Sequence, residues 1–83
     1  MIMEMNLRRA LTAMGKQKVE VRHMTLSEAN SMSDELYVVG LDLAPQMSAF
    51  RKVVVIQNML STEEYIDKLT RAFKSTEKKF RIE

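Results

Sequence analysis

Apolar and polar positions along the chain switch between two periods, and the clearest switch lies between Arg51 and Phe73. Val53, Val54, Val55 and Ile56 are consecutive β-branched residues. Stiff at χ1 and suited to a pleated, buried surface, they predict a central strand. Gln57 and Asn58 break the run, and Leu60 to Tyr65 then spells a helix start. Ser61 is placed to cap that helix, with Glu64 three residues on to complete a capping box. Leu60 and Tyr65 hold the two positions of a hydrophobic staple. Ile66, Leu69, Ala72 and Phe73 follow at helical spacing as one apolar stripe. On the outer face, Glu64–Lys68 and Asp67–Arg71 are i, i+4 pairs of about 0.2–0.5 kcal/mol each, as on any solvated helix.

Upstream, Leu7, Ala10, Leu11 and Met14 form a helical stripe behind Asn6, a candidate cap, and Ile2 and Met3 can extend that helix backwards. Gly15 stands where a left-handed C-terminal residue belongs. Val19 to Met24 alternates with period two, which predicts a strand with Val19 and Val21 inward. Thr25 and Glu28 match a second capping box, opening a short helix with Leu26, Ala29 and Met32 or Ser33 inside. Asn30, Ser31 and Ser33 weaken it, being poor helix formers. Leu36 to Leu43 is another strand, with Tyr37, Val39, Leu41 and Leu43 on one face and Leu36, Val38, Gly40 and Asp42 on the other. Ala44 to Ala49 forms the loop into the central strand, and two strands so closely joined predict an antiparallel hairpin. Phe80 and Ile82 alternate with Lys79, Arg81 and Glu83 as a terminal edge strand, whose basic residues discourage edge-to-edge pairing.

The order is a helix followed by β-α-β-β-α-β. It predicts a single small α+β domain over residues 1–83, with a sheet of three to four strands, a central antiparallel hairpin and helices packed on one face. In shape this resembles the split β-α-β arrangement of ferredoxin-like folds. Without the second helix or the last strand it reduces to a three-stranded sheet covered by two helices. Fold shape does not carry function. Residues 1–15 are the one element with two possible docking places, the domain itself or a partner.

Composition narrows the chemistry. With 83 residues the chain buries only about 60–65% of its unfolded surface, so its core is small. At 46% hydrophobic and 29% charged it reads as globular rather than disordered. No apolar run reaches membrane-spanning length, and Met1 to Met5 is too short and too soon interrupted by Glu4 for a signal peptide. There is no cysteine, hence no disulfide, thiol nucleophile or thiolate metal site, as in a cytoplasmic protein. An unstapled core of this size points to oligomerisation or a partner. The net charge of +2 is unevenly spread: residues 25–50 hold four acidic and no basic groups, while both flanking segments are basic. Such a split can steer a partner at long range.

Candidate catalytic groups are few. His23 is the only histidine, and the two glycines, Gly15 and Gly40, are too far apart to cradle a phosphate. The adjacent carboxylates Asp34-Glu35 and Glu63-Glu64 diverge from the backbone and suit a turn and a helix first turn. No catalytic, cofactor or metal site is expected. Basic residues Arg8, Arg9, Lys16, Lys18 and Arg22 could form an electrostatic nucleic-acid patch. The strands, however, lack the aromatic platform on which unpaired bases stack. Methionine, present eight times, fills irregular gaps and also suits adaptable interfaces. The leading expectation is a non-enzymatic accessory or regulatory protein that docks on another protein or on its own copy. Leu7, Leu11 and Met14 of the first helix, with Met47 and Phe50 of the loop, are the candidate contacts. The runner-up is a nucleic-acid-binding regulator.

Overall fold

In the computed structural model, which describes residues 2–83, helix α1 (Ile2–Ala13) is followed by strand β1 (Leu36–Gly40) and strand β2 (Lys52–Ile56). Helix α2 (Thr62–Lys74) and strand β3 (Phe80–Ile82) complete the chain, with 3-10 turns at Leu26–Glu28 and Ala44–Met47. The three strands form one sheet in the order β1-β2-β3. Both pairs are parallel: Leu36 lies opposite Lys52 and Gly40 opposite Ile56, then Lys52 opposite Phe80 and Val54 opposite Ile82.

The domain is thus α+β, with two helices and an all-parallel sheet. The expected antiparallel hairpin, and with it the ferredoxin-like arrangement, is overturned. The cause is where β1 ends. It stops at Gly40 rather than Leu43, which lengthens the connection to residues 41–51, close to the dozen residues a parallel crossover needs. Within that connection Ala44, Met47 and Phe50 recur at threes, the spacing of a 3-10 turn, and all are buried. They pack with Val39, Val53 and Val55 beneath one face of the sheet. The ring of Tyr37 meets that of Phe50 edge-on at 5.0 Å.

The opposite face carries both helices. Ala10 and Leu11 of α1 and Tyr65, Leu69 and Ala72 of α2 pack with Val54 and Ile56, with Leu36, Val38, Phe80 and Ile82 at the margin. Covered on both faces, β2 buries Val53 through Ile56 completely, as the interior strand of a parallel sheet does.

Local chemistry explains the ends of the helices. At the C-terminus of α1, Gly15 adopts φ +73°, and the Gly15 and Lys16 amides donate to the Thr12 and Leu11 carbonyls, a Schellman motif. At its other end α1 reaches back to Ile2, so Asn6 is buried inside the helix rather than capping it. In α2 the Glu64 amide donates to the Ser61 hydroxyl at 3.2 Å, as the cap requires. The staple does not form: Tyr65 is buried, while Leu60 is 72% exposed.

Two further expectations fail between the elements. Val19 to Met24 forms no regular element and pairs with no strand. The helix expected after Thr25 shrinks to the turn Leu26–Glu28. Glu28 does accept the Thr25 amide and hydroxyl, both at 2.9 Å, and these bonds, the amide first, hold its carboxyl below the usual range. Beyond it, the Asn30 and Ser33 side chains capture the Met32 and Glu35 amides at 2.9 and 3.0 Å and divert the backbone from helical pairing. The terminal strand is present as β3, parallel to β2 on the far side from β1.

Candidate interaction site

Because β2 is central, β1 has one unpaired edge, and such an edge presents free N–H and C=O groups. Along it runs a groove of about 730 Å³, bounded by α1 and by the segment from Val19 to Leu26, with Leu69 and Phe73 of α2 contributing. Leu36 and Val38 from the helix face of β1 line it, as do Tyr37 and Val39 from the other face. Ten large apolar side chains are exposed among the described residues, and six of them line this groove: Ile2, Val19, Leu26, Leu43, Met59 and Phe73. Contiguous exposed apolar surface of this kind marks binding sites on soluble domains.

The β2–α2 loop, residues 57–61, closes one end of the groove through Met59 and is fastened from several directions. Asn6 Nδ2 donates to the Met59 carbonyl at 2.9 Å, which ties α1 to the loop. The Tyr65 hydroxyl donates to the same carbonyl at 2.9 Å. Burial, and then the nearby Glu64 charge, push the Tyr65 phenol above its usual range. Glu64 does not fold back on the Ser61 amide as a capping box would. Its carboxylate accepts the Gln57 amide at 2.6 Å and the Asn58 amide at 2.8 Å, holding the turn that leaves β2.

Lys68 completes this arrangement. Its ammonium donates to Glu64 Oε2 at 2.7 Å and to the Val55 carbonyl at 2.8 Å, and its side chain is only 8% exposed. The Glu64–Lys68 pair is therefore part of the interior, not the solvated surface pair that its i, i+4 spacing suggested. Burial alone would favour the neutral acid. The Lys68 ammonium and the two loop amides outweigh it and hold the Glu64 carboxyl below the ordinary value of 4.5. By contrast the Asp67–Arg71 pair, at 3.5 Å, is exposed on both sides. Two of the three N–H donors of Lys68 and both oxygens of Glu64 are engaged internally, so the pair anchors a loop.

The residues singled out from the sequence are distributed unevenly. Leu7 is half-buried and lines the groove, and Leu11 lines it from within the core at 3% exposure. Met14 packs against the core at the end of α1. Met47 and Phe50 are buried beneath the far face of the sheet. Among the basic residues, Arg8 is bonded to Glu4 at 2.7 Å and to the Val21 carbonyl at 2.9 Å. Arg22 pairs with Glu35 at 3.0 Å, and Lys16 sits 5.2 Å from the centre of the Phe73 ring. Arg9 and Lys18 are exposed.

Among the described residues no group of three or more His, Cys, Asp or Glu side chains is placed to hold a metal ion. No helix of those residues is long and apolar enough to cross a membrane. No family model matches the chain, and no match is found among curated proteins or solved structures. Sequence reasoning did not find Val19, Leu26, Met59 or Phe73 as surface residues. Their apolar character fits an inward face, and only their exposure in the fold shows that they lie open.

Proposed function

We propose that this chain is a small non-enzymatic docking module that acts in the cytoplasm by binding another protein along the β1 groove. The observation that carries the reading is the gathering of six exposed apolar side chains beside an unpaired sheet edge. Leu7 is the contact expected from the sequence that belongs to this surface and keeps part of its area open. A cysteine-free chain suits a reducing compartment. The nucleic-acid reading has less support, since Arg8 and Arg22 are already joined to carboxylates within the chain.

A photo-crosslinking side chain at Val19 should capture a protein in its native extract, and the same group at exposed Thr76, outside the groove, should not. Phe73→Asp should abolish the capture with little change in unfolding midpoint, since Phe73 is 40% exposed. Equal capture from both positions, or capture indifferent to Phe73→Asp, would overturn the reading. Binding that falls steeply with salt and is lost in Arg9→Glu/Lys18→Glu would move nucleic acid to first place.

A further inference from the structure

We propose that the occupant of this groove is an extended strand of a different polypeptide, apolar at alternate positions and basic at its ends, which adds to the outer edge of β1. The inference rests on the docking reading above and names the partner's chemistry.

One long wall of the groove is a strand edge and the other is backbone without regular structure. On one side stands the unpaired edge of β1, five residues long. On the other lies the segment from Glu20 to Met24, whose only backbone group hydrogen-bonded within the chain, among the described residues, is the Val21 carbonyl, to Arg8. An unpaired strand edge asks for main-chain partners, which an added strand supplies and a helix or compact loop does not. Side chains from both faces of β1 line the groove, so the alternate residues of an added strand would continue both apolar layers. A strand matching β1 spans about 17 Å.

Charge selects among such strands. The lining carries the carboxylates of Glu4, Glu20, Glu35 and Asp42. Arg8 pairs with Glu4, and Arg22 with both Glu20 and Glu35, so two arginines face four carboxylates and the rim stays net negative. β1 itself lies within residues 25–50, which hold no basic residue. An entering strand with lysine or arginine at its ends meets a complementary rim. A second copy pairing edge to edge through β1 would instead set two acidic stretches against each other, which disfavours self-association at this edge.

The test begins with a displayed library of random peptides, selected on the immobilised full chain. The enriched peptide is then synthesised with ordinary and with alternately N-methylated amides. Enriched sequences should alternate apolar residues between basic ends, and binding should slow hydrogen exchange at the alternate β1 amides that face away from β2. N-methylation of the amides that face β1 should weaken binding roughly tenfold or more, as expected for the loss of about two hydrogen bonds. If a peptide perturbs Val19 and Phe73 but leaves β1 exchange unchanged and tolerates N-methylation, strand addition is refuted while groove docking stands. If no enriched peptide touches the groove, both fall. A dimer of the free chain with protected β1 amides, seen by light scattering and exchange, would make the occupant a second copy and overturn the proposal.

Discussion

Lys68→Met tests whether the Glu64–Lys68 pair belongs to the interior. The substitution keeps most of the apolar stem and removes the ammonium. That leaves the Val55 carbonyl without its 2.8 Å donor and Glu64 without its 2.7 Å counter-charge. Breaking a buried pair from one side costs about 3–5 kcal/mol, against about 0.2–0.5 kcal/mol for an exposed i, i+4 pair. Glu64 keeps two amide donors and is 16% exposed, so the lower end applies, about 3 kcal/mol. With a urea slope of about 1 kcal/mol/M for a small domain, the unfolding midpoint should fall by about 3 M. Glu64→Gln/Lys68→Met leaves no lone charge inside but gives up the acceptor of one loop amide, so it should recover only part of that loss.

The pH dependence supplies an independent check. A carboxyl held below 4.5 in the folded state contributes stability that is present above that value and lost as pH falls through the lower folded value. Lys68 is the strongest of the influences that lower it, so in Lys68→Met the Glu64 carboxyl rises from its wild-type position, with the two loop amides left to oppose burial. The stability gap between wild type and variant should therefore be widest above about pH 4.5 and close on acidification. A cost below about 1 kcal/mol that disappears in high salt would show a solvated pair and refute the reasoning.

Asn6→Ala and Tyr65→Phe should each cost about 1 kcal/mol in urea unfolding, since either donor alone still satisfies the Met59 carbonyl. The double variant should cost more than their sum, because that carbonyl is then left without either donor. Leu11→Asp should unfold the domain, as seen by circular dichroism, because the side chain is 3% exposed in the core. Leu7→Asp, on a half-buried side chain, should leave a folded protein with weakened docking.

Most of the local structure was legible in the residues. The run of β-branched residues at Val53 to Ile56, the Ser61 cap, the Gly15 terminus and the short strand at Phe80 and Ile82 are all marked by residue types within a few positions of one another. The strand direction was the costly misreading, although its signal was present. A strand apolar at every position is the mark of a parallel interior strand, covered on both faces. Ala44, Met47 and Phe50, recurring at threes, marked the crossover that covers the second face. Taken as a loop, that segment left a hairpin as the only connection short enough. Glu64 and Lys68 were misplaced for a related reason. Helical spacing shows that two side chains meet, but not whether the turn leaving a neighbouring strand closes over them.

The groove escapes sequence reasoning because it is formed by what the chain does not cover. Periodicity assigns a residue to an inward face without naming what lies opposite, so Val19 and Phe73 were both assigned inward. In the fold Val19 is 42% exposed and Phe73 is 40% exposed. Val19 to Met24 has the alternation of a strand, yet the sheet ends at β1 and offers that segment no ladder. A chain that carries more inward-facing pattern than its own elements can bury has apolar surface left for another molecule, and here that surplus falls along a single unpaired edge. The excess is therefore positioned rather than scattered. That position makes docking at this edge a better account of the surplus than a loosely packed core, since Val53 through Ile56 and Tyr65 beneath it are fully buried.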